Sequence, residues 1–380
     1  MQKPARSKSE KAHLLCACFC LTAQKMKIAL LFLLTFTQWQ QQLIKTDASF
    51  RGLCAVNSQV VWVSGTKGTF GRTLDGGKTW QVGNVPDAEQ LDFRDVEAFS
   101  ANTAYLLSIG NGEASRIYKT TDGGKNWKLQ FKNENPKAFF DAFAFWDEQH
   151  GIAMSDSVDG KFVLLSTNDG GANWQILTPN KIPAALKNEG GFAASGTCIF
   201  TQGKSNVWIG TGKGRVLRST DRGKTWTVAE TPILTGVESA GIFSIHFKDN
   251  QTGIVVGGDY RKPNESGNTI ALTTDGGKTW QALENKLPFR SGVMWANGKW
   301  FAVGTSGASV SADNGATWQR LDSENYNSVS FTKTGDGWAA GPKGRIAKFI
   351  RPYPNSYKQV SKIKQFGQVD RIDKMNTKDR

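Results

Sequence analysis

Six aspartates recur along this chain within one short motif, and carboxylates repeated in this way could act as metal ligands or as general acids. Each belongs to an octamer with the pattern Ser/Thr-x-Asp-x-Gly-x-Thr/Asn-Trp, and successive copies lie about 40 to 55 residues apart. A motif that returns at such intervals predicts a repeat architecture, in which each copy belongs to one structural unit. The aspartate and the closing tryptophan of the six octamers are Asp75 and Trp80, Asp122 and Trp127, Asp169 and Trp174, Asp221 and Trp226, Asp275 and Trp280, and Asp313 and Trp318.

The composition of the octamer favours a structural role for these aspartates. An Asp side chain bonds nearby backbone amides and Gly supplies positive φ, so the octamer predicts a hairpin loop between two strands, with the tryptophan as a packing anchor. One copy per unit leaves the six carboxylates dispersed, and they lack the alternating oxygen ligands of a calcium loop. Gly-Lys-Thr occurs in three copies, but the upstream Gly of a phosphate-binding loop is missing. The sequence therefore predicts no metal and no cofactor.

The stretches around each octamer supply the strands that position it. An apolar strand and a strand with small residues precede a third strand that leads into the octamer, and a fourth strand begins at its tryptophan. The pattern can be aligned seven times, which predicts an all-β, seven-bladed β-propeller with four strands per blade. The last unit ends at 344–349 without an octamer, whereas Trp39–Leu43 near the start looks like a fourth strand. We expect this N-terminal strand to complete the last blade and close the ring.

The innermost strands of a propeller line its central channel, so equivalent positions of the seven copies face one another. The second position of the alignment reads Arg51, Arg94, Phe140, Ser195, Ile242, Arg290 and Tyr326, and the next position includes Asp95 and Asp141. An Arg guanidinium recognises carboxylates with planar, bidentate geometry. The sequence thus predicts a binding site made by Arg51, Arg94, Arg290, Asp95, Asp141 and Tyr326. In the alternative interpretation, the arginines only pair with the two aspartates and satisfy the channel mouth.

The octamer resembles the Asp-box, or BNR, repeat of sialidase-like, sortilin-like and photosystem II assembly factor propellers, and we refer to each copy as an Asp-box. From Trp39 to Phe349 the chain is similar to the photosystem II stability/assembly factor family of seven-bladed propellers. Residues 63–80 carry this resemblance best, and residues 210–221 repeat it. The resemblance implies an exported, non-enzymatic scaffold that binds a membrane-protein subunit during assembly, although fold transfers between such proteins better than function.

A sialidase-like glycoside hydrolase is the enzymatic alternative. Sialidases hold the substrate carboxylate with three arginines and use a Tyr–Glu pair as nucleophile, roles that could be assigned to Arg51, Arg94, Arg290, Tyr326 and Glu324. Several features oppose this assignment: residues 50–53 depart from the Phe-Arg-Ile-Pro signature, sialidases have six blades, and no acidic pair is evident at a suitable spacing. We therefore expect no enzymatic activity.

Basic charge and targeting signals lie mostly at the two ends of the chain. The net charge is +14, and residues 1–27 and 350–380 contribute most of it, which argues against a nucleic-acid-binding face. Residues 28–36 form a short apolar run that follows Lys25 and Lys27, as in a signal peptide. The sequence predicts a leader at residues 1–37, a propeller at 38–349 and a basic, disordered tail at 350–380.

Taken together, these features predict an exported, periplasmic or extracellular propeller that acts as a binding or assembly scaffold. The expected ligand is a protein or peptide, and a membrane-protein subunit is one candidate. A glycan is the alternative ligand, because Phe140 and Tyr326 near the channel mouth could stack on sugars. No nucleic-acid partner is predicted, and the protein is expected to be a monomer.

Overall fold

Seven antiparallel four-stranded sheets make up the part of the chain that the computed structural model describes, residues 39–42, 44–178, 181–284 and 286–350. They form the seven blades of a β-propeller, which confirms the predicted fold. The strands of the first three blades are β2 (Phe50–Ala55), β3 (Val61–Gly65), β4 (Thr69–Thr73) and β5 (Gln81–Asn84); β6 (Asp92–Ala98), β7 (Ala104–Ile109), β8 (Arg116–Thr120) and β9 (Lys128–Lys132); and β10 (Phe140–Phe145), β11 (Gly151–Val158), β12 (Lys161–Thr167) and β13 (Gln175–Ile176).

The remaining four blades repeat this arrangement. Their strands are β14 (Ile199–Gln202), β15 (Asn206–Gly210), β16 (Arg215–Ser219) and β17 (Thr227–Glu230); β18 (Ala240–Phe247), β19 (Gly253–Asp259), β20 (Ile270–Thr273) and β21 (Gln281–Ala282); β22 (Gly292–Ala296), β23 (Lys299–Gly304), β24 (Gly307–Ser311) and β25 (Gln319–Arg320); and β26 (Ser328–Phe331), β27 (Gly337–Ala340), β28 (Ile346–Phe349) and β1 (Trp39–Gln42). A single 3₁₀ turn, Gly112–Ala114, is the one helical element of the described residues, and no helix in them is long and apolar enough to span a membrane.

The N-terminal strand closes the ring, as predicted. Strand β1 pairs with β28, so that Trp39 lies opposite Phe349 and Gln42 opposite Ile346. The Trp39 ring is buried, and its centroid lies 5.4 Å from that of Phe349. Closure of this kind pairs the outer edge of β28 and ties the two ends of the propeller together. The predicted leader at 1–37 and nearly all of the predicted tail lie outside the described residues, and these boundaries stay predictions.

The hydrophobic cores lie between neighbouring blades. One core joins Trp62 and Phe70 of blade one to Phe93 and Leu106 of blade two. The second strand of blade one, β3, is buried along its whole length because both of its faces are covered by other blades, which is why it reads as an apolar run rather than an alternating one. The Asp-box tryptophans join these cores, as Trp226 does between blades three and four.

Each Asp-box is a self-contained turn. Thr73 Oγ1 donates a hydrogen bond to Asp75 Oδ1 at 2.8 Å and accepts one from the Gly77 amide at 2.8 Å. Thr79 donates to the same carboxylate from its amide and its hydroxyl, at 2.9 and 2.6 Å. These bonds from Thr79 lower the pKa of Asp75 to about 2. Gly76 and Gly77 have φ of 71° and 88°, values that favour glycine. The other five Asp-boxes repeat these bonds, so all six carboxylates are engaged within their own turns.

The Asp-boxes and the starts of the innermost strands lie on opposite faces of the ring. Consecutive strands of a blade are antiparallel, so the turn between its third and fourth strands lies at one face, called here the box face. The innermost strands begin, and the chain passes from blade to blade, at the other face, called here the connection face. Among these passages, the one at residues 177–198 is much longer than those at 85–91 and 133–139.

Candidate binding pocket

Four innermost strands carry a β-bulge near the connection face, and the bulged residues face one another. The register shifts between Phe50 and Gly52, and equivalent shifts occur in three further blades; the four residues at the shifts are Arg51, Arg94, Asp141 and Phe243. A bulge adds one residue to a strand and redirects its side chain. All four residues line one pocket of about 540 Å³, a size that suits a small molecule or a short chain segment.

The pocket combines charged groups of both signs with flat aromatic surfaces. Its charged residues are Arg51, Arg94, Asp141, Asp156 and Glu238. Its aromatic residues include Phe192, Phe243, Tyr260 and Phe289, and the rings of Phe192 and Phe243 stack at 3.8 Å. Such a site offers ion pairing and stacking to the same ligand.

Both pocket arginines are held by backbone carbonyls of the long connection 177–198. Arg51 donates from Nη1 to the Ala194 carbonyl at 3.1 Å, and Arg94 donates from Nη1 to the Ala193 carbonyl at 3.0 Å. Arg94 also donates from Nε to Asp92 Oδ2 at 2.8 Å. Burial, and then the neighbouring Arg94, lower the pKa of Arg51 to about 10, so this guanidinium stays protonated at neutral pH. A guanidinium has five N–H donors, and these bonds use one on Arg51 and two on Arg94.

The part of the long connection from residue 181 to residue 198 reaches across the channel and is anchored by a buried ion pair. Ser195 Oγ donates to the Ser291 carbonyl in blade six at 2.8 Å, which places this segment over the channel. Glu189, fully buried, pairs with Arg215 and accepts a hydrogen bond from Thr211 Oγ1 at 2.8 Å. The Leu186 amide donates to the same carboxylate at 2.8 Å. These contacts fix a connection whose length would otherwise leave it free to move.

Asp141 and Asp156 form a carboxyl pair in the wall of the pocket. The two side chains share a hydrogen bond, and burial is the main reason why the pKa of Asp141 is raised well above its ordinary value. Burial likewise raises the pKa of Asp156 to about 6. Gly190 and Gly191 pass so close that a Cβ on Gly190 would collide with Asp156 Oδ1, and one on Gly191 would lie 3.2 Å from the Asp141 carboxyl carbon. The backbone next to the pair therefore carries no side chains.

The prediction that Arg290 shares the level of Arg51 and Arg94 is wrong. Gly65 and Gly304 each end the second strand of their blade, so their neighbours on the innermost strand are equivalent. A Cβ on Gly65 would lie 3.2 Å from the Cα of Phe50, and one on Gly304 would lie 3.1 Å from the Cα of Arg290. Arg290 is therefore equivalent to Phe50 and not to Arg51. Arg290 is 2% exposed and donates to Ser306 Oγ and Ser309 Oγ, both at 3.0 Å. Its side chain packs inside blade six and does not line the pocket.

Tyr326 and Asp95 also lie outside the pocket lining, in contrast to the prediction. Tyr326 is fully buried and donates to Asp322 Oδ2 at 3.0 Å, while its hydroxyl accepts from Gln41 Nε2 at 2.9 Å. Asp95 is buried and accepts from the Phe143 amide of blade three at 2.9 Å. The alternative in which Asp95 and Asp141 neutralise the arginines is wrong as well, because Arg94 pairs with Asp92 on its own strand.

The errors have one origin, a slip of a single residue in the alignment of the innermost strands. In blades three, five, six and seven the residue that faces the channel is the one after the residue predicted. The residues found there are Asp141, Phe243, Ser291 and Asn327. A one-residue shift turns a strand side chain to the other face of the sheet. Aligning the glycines that end the second strands, such as Gly65 and Gly304, would have corrected it. Nothing in the sequence pattern indicated Asp156 or the residues of the long connection.

The five residues that could have served a sialidase-like mechanism are not brought together. Arg290 and Tyr326 are buried in blades six and seven, as described above, and Glu324 forms an ion pair with Arg345. Phe140, proposed for sugar stacking, is also buried and packs against Phe131. Within the described residues no group of three or more His, Cys, Asp or Glu side chains has the arrangement of a metal site.

Comparisons with known proteins agree with this architecture. Residues 33–139 match the family model described as photosynthesis system II assembly factor YCF48. A structure of YCF48 bound to a D1 peptide superposes with a TM-score of 0.62 at 17% identity, covering 83% of this chain and 97% of the other. YCF48 from Cyanidioschyzon merolae gives a TM-score of 0.56 at 19% identity, covering 82% and 98%.

The same fold also occurs in proteins of other kinds. A streptogramin B lyase superposes with a TM-score of 0.59 at 17% identity, covering 82% of this chain and 96% of the other, so the architecture alone does not separate a scaffold from an enzyme. No curated protein matches the chain significantly. In the sequence of residues 33–139 and in its seven-bladed fold, this chain resembles the YCF48 family of photosystem II assembly factors.

Proposed function

We propose that this protein is a non-enzymatic binding scaffold that docks a carboxylate-bearing segment of a protein partner in the pocket on its connection face. The observation that carries the proposal is the convergence of Arg51 and Arg94, from neighbouring blades, on one pocket. Both guanidinium groups are oriented by carbonyls of Ala194 and Ala193. A ligand carboxylate would therefore meet donors that are already in place, which lowers the ordering cost of binding.

Two further facts support a peptide ligand. The pocket volume of about 540 Å³ and its aromatic walls suit a few side chains of an extended segment. YCF48, which resembles this chain in fold, has been solved with a D1 peptide bound. We carry over from that structure only the class of ligand, a peptide.

The proposal that the protein is exported, to the periplasm or outside the cell, is supported by the apolar run at 28–36 and its flanking lysines.

A glycan is the second candidate ligand, because five aromatic residues line the pocket and aromatic rings stack on sugars. Cleavage of a glycan is less well supported. Asp141 and Asp156 are the one close carboxyl pair in the pocket lining, and they share a hydrogen bond. Glycoside hydrolases separate their two carboxyl groups by about 5 Å or more, to leave room for the anomeric carbon or a water.

Selection with a random peptide library displayed on phage tests the proposal. The full chain would be immobilised, and selected sequences would be measured as synthetic peptides by fluorescence polarisation. We expect enrichment of Asp, Glu or a free carboxyl terminus, and at least a tenfold loss of affinity in Arg51→Gln and in Arg94→Gln.

Arg222→Gln is the matched control, because Arg222 lies in an Asp-box on the opposite face and should leave affinity unchanged. Selected peptides without carboxylates, or equal binding by the Arg51 and Arg94 variants, would contradict the proposal. A glycan array that gives specific binding where the library gives none would favour the second candidate.

A further inference from the structure

The Asp141–Asp156 pair lines the same pocket as the two arginines but takes no part in holding them. Asp141 is 2% exposed, and once the proton that it shares with Asp156 is lost, its Oδ2 has no hydrogen-bond donor among the described residues. A buried carboxylate oxygen without a donor is costly, and nearly all such groups in folded proteins find a partner. Its partner Asp156 is partly exposed in the pocket wall, where a ligand cation could replace the shared proton.

The protein does not supply a cation to this pair. Within the described part of the chain, neither Asp141 nor Asp156 forms an ion pair. Arg94 is the basic residue with the clearest electrostatic effect on Asp141, yet its N–H groups bond Asp92 and the Ala193 carbonyl. Arg51 likewise bonds the Ala194 carbonyl. The pocket thus contains oriented cations and an unneutralised carboxyl pair as separate groups.

We infer that the Asp141–Asp156 pair is a second subsite of the pocket, which binds an ammonium or guanidinium group of the same ligand. The inference rests on the proposed function and narrows it, because the preferred segment then carries both a carboxylate and a Lys or Arg side chain. An ammonium has three donors and a guanidinium five, so either can bond the partly exposed carboxylate of Asp156 and neutralise the pair. The aromatic faces of Phe192 and Phe243 also favour a cation at this pocket.

The close backbone over the pair is consistent with a built subsite. Gly190 and Gly191 leave no room for side chains next to the two carboxyl groups. The connection that contains them is fixed by the buried contact of Glu189 with Arg215. The acidic subsite is therefore held by the same element whose carbonyls orient Arg51 and Arg94, and both subsites depend on one anchored segment.

The pair should bind a cation best after it has lost its shared proton. The charged or titratable groups around it are Arg51, Arg94, Asp92, Asp95, Cys198 and Glu238. The two arginines favour ionisation of the pair, and the acidic groups oppose it. A cation that replaces the proton would release it to solvent, so affinity for a basic ligand should rise with pH.

Paired synthetic peptides test the inference on the full-length protein. One series is acetyl-Glu-(Gly)n-Phe-Lys-amide with zero to three glycines, and the matched series replaces Lys by norleucine, which keeps the aliphatic stem and removes the charge. For the best spacer we expect the Lys peptide to bind about tenfold more tightly, the size of one charge-assisted hydrogen bond. In Asp156→Asn and in Asp141→Asn, the Lys and norleucine peptides should bind with about equal affinity.

The control and the outcomes separate this inference from the proposed function. Glu148→Gln removes an exposed carboxylate in the turn between β10 and β11, at the box face of the same blade, and should keep the Lys preference. Arg51→Gln should weaken both series equally. Equal binding of Lys and norleucine peptides by the wild type, or a preference that survives Asp156→Asn, would overturn the acidic subsite and leave the arginine site intact. If neither series binds, the acidic subsite falls, whereas the proposed function stands or falls with the library selection described above. Thermal melts confirm that the Asn variants fold, and Asp156 is the safer of the two because it is less buried.

Discussion

Arg51 in blade one donates a hydrogen bond to the carbonyl of Ala194, 3.1 Å away, in the connection between blades three and four. This bond crosses the mouth of the channel and links a β-bulge to the longest passage between blades. Arg94 makes the corresponding bond to Ala193. The pocket therefore depends on two independent features, the bulges of the innermost strands and the anchoring of residues 181–198, and each can be tested separately.

The anchoring is expected to fail when Glu189 is removed. Glu189→Ala leaves the Arg215 guanidinium buried without its partner, and breaking a buried ion pair in this way typically costs about 3 kcal/mol or more. Urea denaturation should show this loss of unfolding free energy, and hydrogen exchange should show faster exchange at residues 190–195. Glu265→Gln is the control, since its ion pair with Lys262 is exposed and should contribute less than about 1 kcal/mol. A Glu189→Ala protein with unchanged stability and exchange would contradict this account of the connection.

Truncation of Arg290 should lower the stability of the protein, whereas truncation of Arg51 should lower its affinity for a peptide. Arg290→Ala removes a buried side chain and its bonds to Ser306 and Ser309, which should lower the unfolding free energy by about 2 kcal/mol. Arg51→Ala affects a side chain at the pocket and should mainly lower peptide affinity. Comparing the two variants by thermal melts and by fluorescence polarisation distinguishes the roles. The assignment would be wrong if Arg290→Ala kept full stability and lost binding.

The acid pair should make stability depend on pH. The pKa of Asp156 is about 6 in the folded protein, above its ordinary value near 4, so between these values the folded state holds a proton that the unfolded state has released. Stability should therefore fall as the pH rises from about 4 to about 6, and the loss is complete above that window. Asp156→Asn removes this loss and should raise the unfolding free energy at pH 8, by at most about 3 kcal/mol, with no gain at pH 4. Denaturation of both proteins across this range measures the difference, and a gain that is equal at pH 4 and pH 8 would rule out titration as its cause.

The closure of the ring should depend on Trp39. This side chain is buried against Phe349 and Tyr326, so Trp39→Ala creates a large cavity at the joint between β1 and β28 and should cost about 3 to 5 kcal/mol. Gln40→Ala, on the exposed face of the same strand, should have little effect. Urea denaturation of both variants gives the comparison. Equal stabilities would mean that the N-terminal strand does not hold the propeller closed.

The repeat pattern was enough to predict the architecture. The repeated Asp-boxes and the strand-forming stretches around them indicated seven blades, and Trp39 in its lone fourth-strand segment indicated the closing strand. These features depend on local turn chemistry and on a repeat that is visible in the sequence. The same pattern placed Arg51 and Arg94 correctly in the innermost strands. These two residues were placed correctly because the copies that begin at Phe50 and Phe93 are in the same register in the structure.

The remaining site residues depended on tertiary structure. Asp141 was predicted for the site and lines the pocket, but its strand was aligned one residue out of register. Arg290 was placed at the pocket because Phe289–Arg290 repeats the Phe-Arg pair of blades one and two one residue out of register. Asp156 and the Ala193 and Ala194 carbonyls reach the pocket through contacts between distant parts of the chain. The sequence by itself determined the fold and two of the pocket's cations, since periodicity and turn residues are local properties. Only the tertiary structure decided which groups meet at the channel mouth, because that depends on strand register and on the path of one long connection.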